Sequence, residues 1–359
     1  EKLKEFPDRD KYKKKVNDMK KLTDIYNEYK NRELTVEELR FLYEVDKKIE
    51  GFGYEEDPRI EEILKERNKK EDLANVFNCK QEQISGNPAD VLAGKEIIYF
   101  YSDLVLKNLT SAKGLKLPRH VKGDLTLVNL ISIEDLVLPE TIGDSLYLSS
   151  LKNAEGLRLP EIIGDSLFLN NLTSAKNIVF PKEIGGCLHL EKLTYAENLT
   201  FPEIIKYDLD LSNLTYVKDL LVLPKTMNGS LDLRKLTKIE NLTLPQSVRG
   251  HLRLDSLPSA KGLTLPQYVK GNLNLSSLPS AEGLKLPQSI GGNLELWNLR
   301  DAKNIIFPET IGNNLYLYGL KNAEGLIVPQ NFSYEYLRSN YITMYDLKRV
   351  SENSDIKSK

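Results

Sequence analysis

The chain has 359 residues, enough for about two domains of ordinary size. Its 50 Lys and Arg residues balance 52 Asp and Glu residues, so no overall field favours nucleic acid or an anionic membrane as a partner. Two cysteines, Cys79 and Cys187, are too few for a disulfide framework or a cysteine zinc site. No apolar run is long enough to cross a bilayer, so we expect no membrane insertion.

Residues 1–94 have the hydrophobic period of helices and predict a helical N-terminal domain. Thr35 and Glu38 form the pattern of a capping box and predict the start of a helix. Asp57 followed by Pro58 predicts an N-cap and the first residue of another helix. Four predicted helices bury, in chain order, Val16, Met19, Leu22, Ile25, Tyr26 and Tyr29; Leu39, Leu42, Val45 and Ile49; Ile60, Ile63 and Leu64; and Leu73, Val76 and Phe77.

Residues 95–330 contain a repeat that is marked by a proline after an apolar residue. The step is 21 residues throughout, except for one step of 22 residues between Pro202 and Pro224. The marker prolines are Pro118, Pro139, Pro160, Pro181, Pro202, Pro224, Pro245, Pro266, Pro287, Pro308 and Pro329. Such regular spacing is typical of a solenoid, in which each repeat forms one turn.

Each turn has a fixed pattern when its proline is numbered position 1. Apolar residues recur at positions 4, 8, 10, 13, 16, 19 and 21, and the pairs 8/10 and 19/21 alternate as strands with one buried face do. Positions 6 and 18 carry Gly, Asn or Asp, which predicts left-handed corners. We therefore expect an α+β fold: a leucine-rich-repeat-like parallel β-solenoid of about eleven turns, with two strands per repeat, behind an α-helical capping domain.

Two segments resemble known sequences. Residues 97–330, with the pattern L-x-L-P-x-x-I-G-G as at residues 284–292, resemble the BspA-like (treponemal-type) leucine-rich repeats, although the A-F-x-x-C element of that family is absent here. The resemblance implies a bacterial binding protein that is secreted or exposed at the surface. The segment RELTVEELRFLYEVDKKIEGFGYEEDPRIEEI is similar to uncharacterised proteins of uncultured bacteria and implies no activity. The cytoplasm is otherwise the default location, with secretion left open if a signal has been removed.

The two ends of the solenoid need covers, because each end exposes an apolar edge. We expect residues 1–94 to cover the first turn, either as a cap alone or as a cap with an additional docking role. Residues 331–359 are expected to form a C-terminal cap followed by a flexible tail, with aromatic and apolar residues at Phe332, Tyr334, Tyr336, Leu337, Tyr341 and Tyr345.

Positions 9 and 11 flank the core leucine at position 10 and are expected to point outward. We call the surface that they form the 9/11 face. Aromatic residues on a rigid sheet are typical of binding hot spots, whereas position 20 is mostly β-branched and needs no function to explain it. The predicted binding residues are Tyr147, Phe168, His189, Asp210, Asp232, Arg234, Arg253, Trp297, Tyr316 and Tyr318.

These residues predict a non-enzymatic scaffold that binds an unknown protein and uses no cofactor or metal. One alternative is glycan binding on Trp297, Tyr316 and Tyr318, and another is that the two tyrosines pack under the C-terminal cap. A third is a polysaccharide-cleaving enzyme that uses Asp210 and Asp232, although alternating charges favour a ladder of ion pairs. If the sheet that ends in L-x-L-P is the concave one, position 20 becomes the binding row instead.

Overall fold

The computed structural model describes residues 9–51, 57–217, 221–239, 242–302, 305–321, 326 and 337–342. The chain forms two compact units. The first unit comprises Glu1–Val105, Gly114–Leu125 and Pro139–Gly143, and the second comprises Leu106–Lys113, Thr126–Leu138 and Asp144–Lys359. Within the part of the chain that is described, no helix has the length and apolar character needed to span a membrane.

The helices of the first unit follow the predicted caps. The helices are α1 (Arg9–Glu28), α2 (Val36–Leu42), α3 (Pro58–Leu64), α4 (Lys69–Phe77) and α5 (Pro88–Leu92). Thr35 and Glu38 form the predicted capping box, and Asp57 caps α3. Helix α2 is shorter than expected because Glu44 adopts a left-handed conformation with φ 52°, so Val45 and Ile49 lie beyond its end.

Two apolar clusters hold these helices together. The first contains Leu22, Ile25, Leu42, Ile60 and Ile63, and the second contains Leu39, Tyr43, Leu73, Ala74, Val76, Ile84 and Tyr99. The carboxylate of Asp72 is buried beside the second cluster. It accepts hydrogen bonds from Tyr43 Oη at 2.8 Å and from Arg67 Nη2 at 2.7 Å, so this buried charge is paired.

A strand that the sequence did not predict lies between helices α4 and α5. Strand β1 (Ile84–Ser85) pairs in parallel with β2 (Tyr99–Phe100), and the sheet continues to β4 (His120–Val121) and β6 (Thr141–Ile142). Helix α4 packs on β1. The ring of Phe77, at the end of α4, stacks on Tyr99 at 4.4 Å between centroids. Within the first unit, the helical segment therefore covers an edge of the sheet.

The remaining strands form parallel rows in which each residue pairs with its equivalent in the next turn. In the second unit the row at positions 8 and 9 comprises β7 (Leu146–Tyr147), β9 (Leu167–Phe168), β11 (Leu188–His189), β15 (Leu209–Asp210), β19 (Leu231–Asp232), β22 (Leu252–Arg253), β24 (Leu273–Asn274), β26 (Leu294–Glu295) and β28 (Leu315–Tyr316). Strands β3 (Leu104–Val105) and β5 (Leu125–Thr126) occupy the same positions of the repeat earlier in the chain. Strand β29 (Leu337–Arg338) extends this row beyond β28. The predicted parallel β-solenoid is confirmed, and its turns have the length that the proline spacing indicates.

A second strand lies in most turns, but at positions 3 and 4. In the second unit this row comprises β8 (Ile162–Ile163), β10 (Glu183–Ile184), β14 (Ile204–Ile205), β18 (Thr226–Met227), β21 (Ser247–Val248), β23 (Tyr268–Val269), β25 (Ser289–Ile290) and β27 (Thr310–Ile311). Strands near positions 15–16 and 19–20 are assigned in fewer turns: β12 (Tyr195–Ala196), β13 (Leu199–Thr200), β16 (Tyr216–Val217), β17 (Leu221–Val222) and β20 (Leu242–Thr243). The expectation that positions 19–21 form the second strand throughout is therefore corrected.

The two predicted corners have different physical causes. At position 18 the left-handed backbone is confirmed, for example at Asp135 with φ 60° and Asn177 with φ 58°. Position 6 is not left-handed among the described turns. Where it is glycine, successive turns approach closely, and a Cβ on Gly271 would lie 2.5 Å from the carbonyl oxygen of Gly250.

Position 7 carries a row of hydrogen bonds that the sequence pattern did not reveal. A side-chain acceptor in one turn accepts the backbone N–H of position 7 in the next turn. Bonds of this kind join Ser145 to Ser166, Ser166 to Cys187, Asp208 to Ser230, Ser230 to His251, His251 to Asn272, Asn272 to Asn293, and Asn293 to Asn314. Between Ser145 and Asn314, the thiol of Cys187 is the only member of this row in the described structure with no such bond to the next turn.

The one longer step of the repeat changes the pairing register at one place in the chain. Tyr195 pairs with Tyr216 at the ordinary repeat distance, whereas Leu199 pairs with Leu221, which lies one position further along the chain than that distance. The extra residue therefore lies between Val217 and Leu221. The row at positions 8 and 9 continues in register, since Asp210 pairs with Asp232 and Asp232 pairs with Arg253.

The predicted C-terminal cap lies mostly outside the described residues. This applies to Phe332, Tyr334, Tyr336 and Tyr345, while Leu337 belongs to β29 and Tyr341 is exposed.

Candidate binding face

The 9/11 face is built on the row of strands from β7 to β28 in the second unit. The leucines at positions 8 and 10 have no exposed surface from Leu146 to Leu317, so the side chains between and beside them are held on the outside. Tyr147, Phe168, His189 and Asp210 are Cα partners on successive strands. Neighbouring side chains therefore stand roughly 4.8 Å apart, and they cover one another so that most are half-buried.

Three aromatic rings form a continuous stack at one end of the face. The centroids of Tyr147 and Phe168 are 4.5 Å apart with their planes 4° from parallel, and Phe168 and His189 are 4.5 Å apart at 7°. Both faces of the Phe168 ring are thus covered by its neighbours. A partner would meet the edges of this stack, and Phe168 cannot act as a flat platform for a ligand.

A chain of hydrogen bonds at position 11 runs beside the stack. Ser149 Oγ donates to Asn170 Oδ1 at 3.0 Å, and Asn170 Nδ2 donates to the carboxylate of Glu191 at 2.9 Å. His189 Nδ1 also lies 3.1 Å from Glu191 Oε1. Burial acts to raise the pKa of Glu191, but the hydrogen bonds from its neighbours outweigh it and hold the pKa below its ordinary value. The carboxylate is therefore charged at neutral pH.

The middle of the face holds a network of ion pairs. Arg234 forms a close ion pair with Asp232, and that hydrogen bond raises the pKa of Arg234. Arg253 Nη2 lies 2.9 Å from Asp255 Oδ1, and its Nη1 lies 4.0 Å from Asp232 Oδ2. The carboxylate of Asp210 accepts the backbone N–H of Ser212 at 2.9 Å. The alternating charges from which ion pairs were predicted are therefore in direct contact, as Arg234 with Asp232 and Arg253 with Asp255 show.

Two carboxylates near this network are less well compensated. Glu295 accepts a hydrogen bond from the amide of Asn274 at 2.8 Å. Burial raises the pKa of Glu295, and the negative charge of Asp255 raises it further. Asp255 Oδ2 is buried and has no hydrogen-bond partner among the described residues. This part of the face therefore carries negative charge beyond what its arginines neutralise.

A second aromatic group occupies the other end of the face. Trp297 packs edge-on against Tyr316 at 6.0 Å and 64°, and against Tyr318 at 6.3 Å and 71°. The Trp297 side chain is 46% exposed, whereas both tyrosines are half-buried. Unlike Phe168, this indole is not enclosed between parallel rings.

The structure thus divides the ten predicted binding residues into three neighbouring groups on one face. Tyr147, Phe168 and His189 form the stack; Asp210, Asp232, Arg234 and Arg253 belong to the charged middle; and Trp297, Tyr316 and Tyr318 form the second aromatic group. The predicted list of binding residues left out Asn170, Glu191, Asp255, Asn274 and Glu295. These side chains form hydrogen bonds or ion pairs on the same face, and three of them add negative charge to it. Their shared signal was their place at positions 9 and 11.

The carboxylates of the charged middle are engaged in structural contacts. Asp232 binds Arg234, and Asp210 binds the backbone of its own turn. In the described ranges, no group of three or more His, Cys, Asp and Glu side chains could hold a metal ion. A groove lined by Gly283, Leu284, Lys285, Ile306 and Phe307 contains no residue of positions 9 or 11. What the face can offer chemically is recognition by aromatic, charged and amide groups.

The class defined by the fold is a parallel β-solenoid of short, regular turns with helices at its N-terminus. Comparison with protein-family models, with curated proteins and with solved structures gives no match to this chain.

Proposed function

We propose that this chain is a non-enzymatic scaffold that binds another protein through the 9/11 face. The observation that carries the proposal is the mutual immobilisation of large side chains on this face: stacked rings at one end, ion pairs in the middle and a T-shaped aromatic group at the other end. Side chains that are already ordered lose little entropy when a partner binds. Aromatic residues and arginine are also the types that dominate binding hot spots.

The position 20 row serves as the comparison. It carries mostly β-branched residues such as Val179, which is 63% exposed, and Thr243 and Thr264. Exposed β-branched residues are normal on a sheet surface.

We further propose that the turns are of the leucine-rich-repeat kind and similar to the BspA-like repeats. The L-x-L-P pattern supports this, because Leu284 is buried and Pro287 opens the next turn.

The experiment begins with an affinity pull-down with crosslinking that uses the full chain, followed by purification of the captured protein. Replacing Tyr147 and Phe168 together with Ala should weaken binding by at least about 2 kcal/mol, roughly thirtyfold. The matched control replaces Thr243 and Thr264 together with Ala and should leave the affinity unchanged. If the threonine pair abolishes binding and the aromatic pair does not, the position 20 row is the functional one.

Glycan binding is the second candidate, and the exposed indole of Trp297 favours it. An aromatic ring with an open face is the group on which sugar rings stack, and Asn274 and Glu295 lie on the preceding and same turns as hydrogen-bonding groups. A glycan array probed with the wild-type chain and with Trp297→Ala distinguishes the two functions. Signals that disappear in the Trp297→Ala variant favour the glycan, and a blank array beside a stoichiometric protein partner favours the scaffold.

A further inference from the structure

The charge of the 9/11 face differs from that of the rest of the chain. From Tyr147 to Tyr318, positions 9 and 11 carry two arginines, no lysine and five carboxylates: Glu191, Asp210, Asp232, Asp255 and Glu295. With histidine neutral, their formal charge is −3, more negative than the −2 of the whole chain. All the net negative charge is therefore concentrated on this face, and the remainder of the chain is slightly positive.

The two arginines do not neutralise the whole face. Both are engaged with Asp232 and Asp255. Asp210 and Glu295 receive hydrogen bonds from neutral groups and form no ion pair with lysine or arginine among the described residues. Asp255 Oδ2 is in addition buried without a hydrogen-bond partner in the described ranges. A cation that approached this region would gain attraction without displacing an existing pair.

The aromatic group beside Glu295 favours the same kind of partner. A guanidinium or ammonium group binds over an exposed indole by a cation–π contact, and Trp297 lies two residues after Glu295, in the turn that follows β26. A carboxylate beside an open ring is the combination that suits arginine in particular, because its planar group both stacks and forms paired hydrogen bonds. Nucleic acid is disfavoured, since phosphates would meet the same excess of carboxylates.

We propose that the occupant of the 9/11 face is a basic segment of a partner protein, rich in arginine or lysine, with its cationic side chains at Asp210 and at Glu295 with Trp297. This inference rests on the proposed function and adds the chemistry of the partner. Asp210 and Glu295 lie four turns apart, roughly 19 Å at about 4.8 Å per turn, so an extended segment with two cationic side chains would reach both.

The test selects random linear peptides displayed on phage against the full chain and measures the enriched peptides in solution. Enriched peptides should carry an excess of arginine and lysine. Their affinity should fall at least about tenfold in a chain with Asp210→Asn and Glu295→Gln, because two charge-assisted contacts are lost. It should also fall as salt rises from about 0.1 M to about 1 M, where the Debye length shortens from about 10 Å to about 3 Å.

The matched control removes the same charge from another surface. Glu183→Gln with Glu203→Gln replaces two exposed carboxylates outside positions 9 and 11 and should leave binding unchanged. Circular dichroism must show that both double variants fold as the wild type does.

The inference is overturned if the enriched peptides are neutral or acidic, if the Asp210 and Glu295 variant binds as well as the wild type, or if no peptide is enriched. Neutral peptides that lose binding when Tyr147 and Phe168 become Ala would overturn the basic partner while leaving the proposed function intact. Peptides that bind regardless of every substitution on the 9/11 face would contradict both.

Discussion

Within the aromatic stack, removing the central ring of Phe168 should lower the free energy of unfolding more than removing the end ring of Tyr147. Phe168 has two stacking contacts, with Tyr147 and with His189, whereas Tyr147 stacks in this group on Phe168 alone. An aromatic pair contributes about 0.5–1.5 kcal/mol beyond the area that it buries. Phe168→Ala removes two such pairs, about 1–3 kcal/mol, and Tyr147→Ala removes one, about 0.5–1.5 kcal/mol. The loss of half-buried side-chain area adds roughly 1 kcal/mol to each.

The assay is urea unfolding of the two single variants and the double variant, followed by circular dichroism and by fluorescence of Trp297, the only tryptophan of the chain. The free energy of unfolding should fall further in Phe168→Ala than in Tyr147→Ala. The double variant should also be less destabilised than the sum of the two, by about 0.5–1.5 kcal/mol, because both single changes remove the same contact. Val179→Ala, on an exposed site of the position 20 row, is the control and should change stability by less than about 0.5 kcal/mol.

Equal losses for the two single variants would refute the reasoning. So would effects that add to within about 0.3 kcal/mol, the result expected of residues that do not touch. The rings would then be independent surface groups, and the side chains of Tyr147, Phe168 and His189 would not be ordered by stacking before a partner binds.

Three further predictions concern the solenoid itself. Leu254→Ala should lower the free energy of unfolding by about 2–5 kcal/mol because Leu254 is fully buried between turns; a loss below about 1 kcal/mol in urea unfolding would contradict its core position. Deleting residues 1–94 removes β1 and uncovers Tyr99 and Phe100, so light scattering should show association; a monomer of unchanged stability would mean that the helices are not a cap. Cys187→Ser supplies the missing acceptor at position 7 and should add about 0.5–1 kcal/mol by the same urea assay, and a neutral or destabilising result would show that this N–H is satisfied by solvent.

Most of the solenoid could be predicted because its constraints recur in every turn. The leucines at positions 8 and 10 alternate, and the left-handed corner at position 18 admits few residue types, as Asn177 shows. The strand at positions 3 and 4 could not be found in the same way. It is two residues long, and only one of them is buried, as in β10. Two residues are too few to establish a period.

The two errors in the first unit have different causes. Helix α2 ends because Glu44 adopts a left-handed backbone conformation, although the apolar pattern continues to Val45 and Ile49. Strand β1 has no repeat of its own and becomes a strand by pairing with β2. The first error is therefore local, and the second depends on tertiary pairing.

The candidate site was predictable as a row and unpredictable as a set of contacts. Spacing alone placed Tyr147, Phe168 and His189 on one line, and equal spacing between turns produces their parallel stack. The second aromatic group mixes positions 9 and 11, so its rings meet at an angle that depends on side-chain rotamers. The pattern of apolar residues carries no information about these side-chain rotamers.

The single extra residue between Val217 and Leu221 has a practical consequence. The chain already gains one residue between Val217 and Leu221 while Asp210, Asp232 and Arg253 remain paired in order. A change of length in this segment is thus compatible with the row of residues displayed on the 9/11 face. We expect that a short epitope or a fluorophore attachment sequence inserted between Val217 and Leu221 would label the protein without disturbing that face.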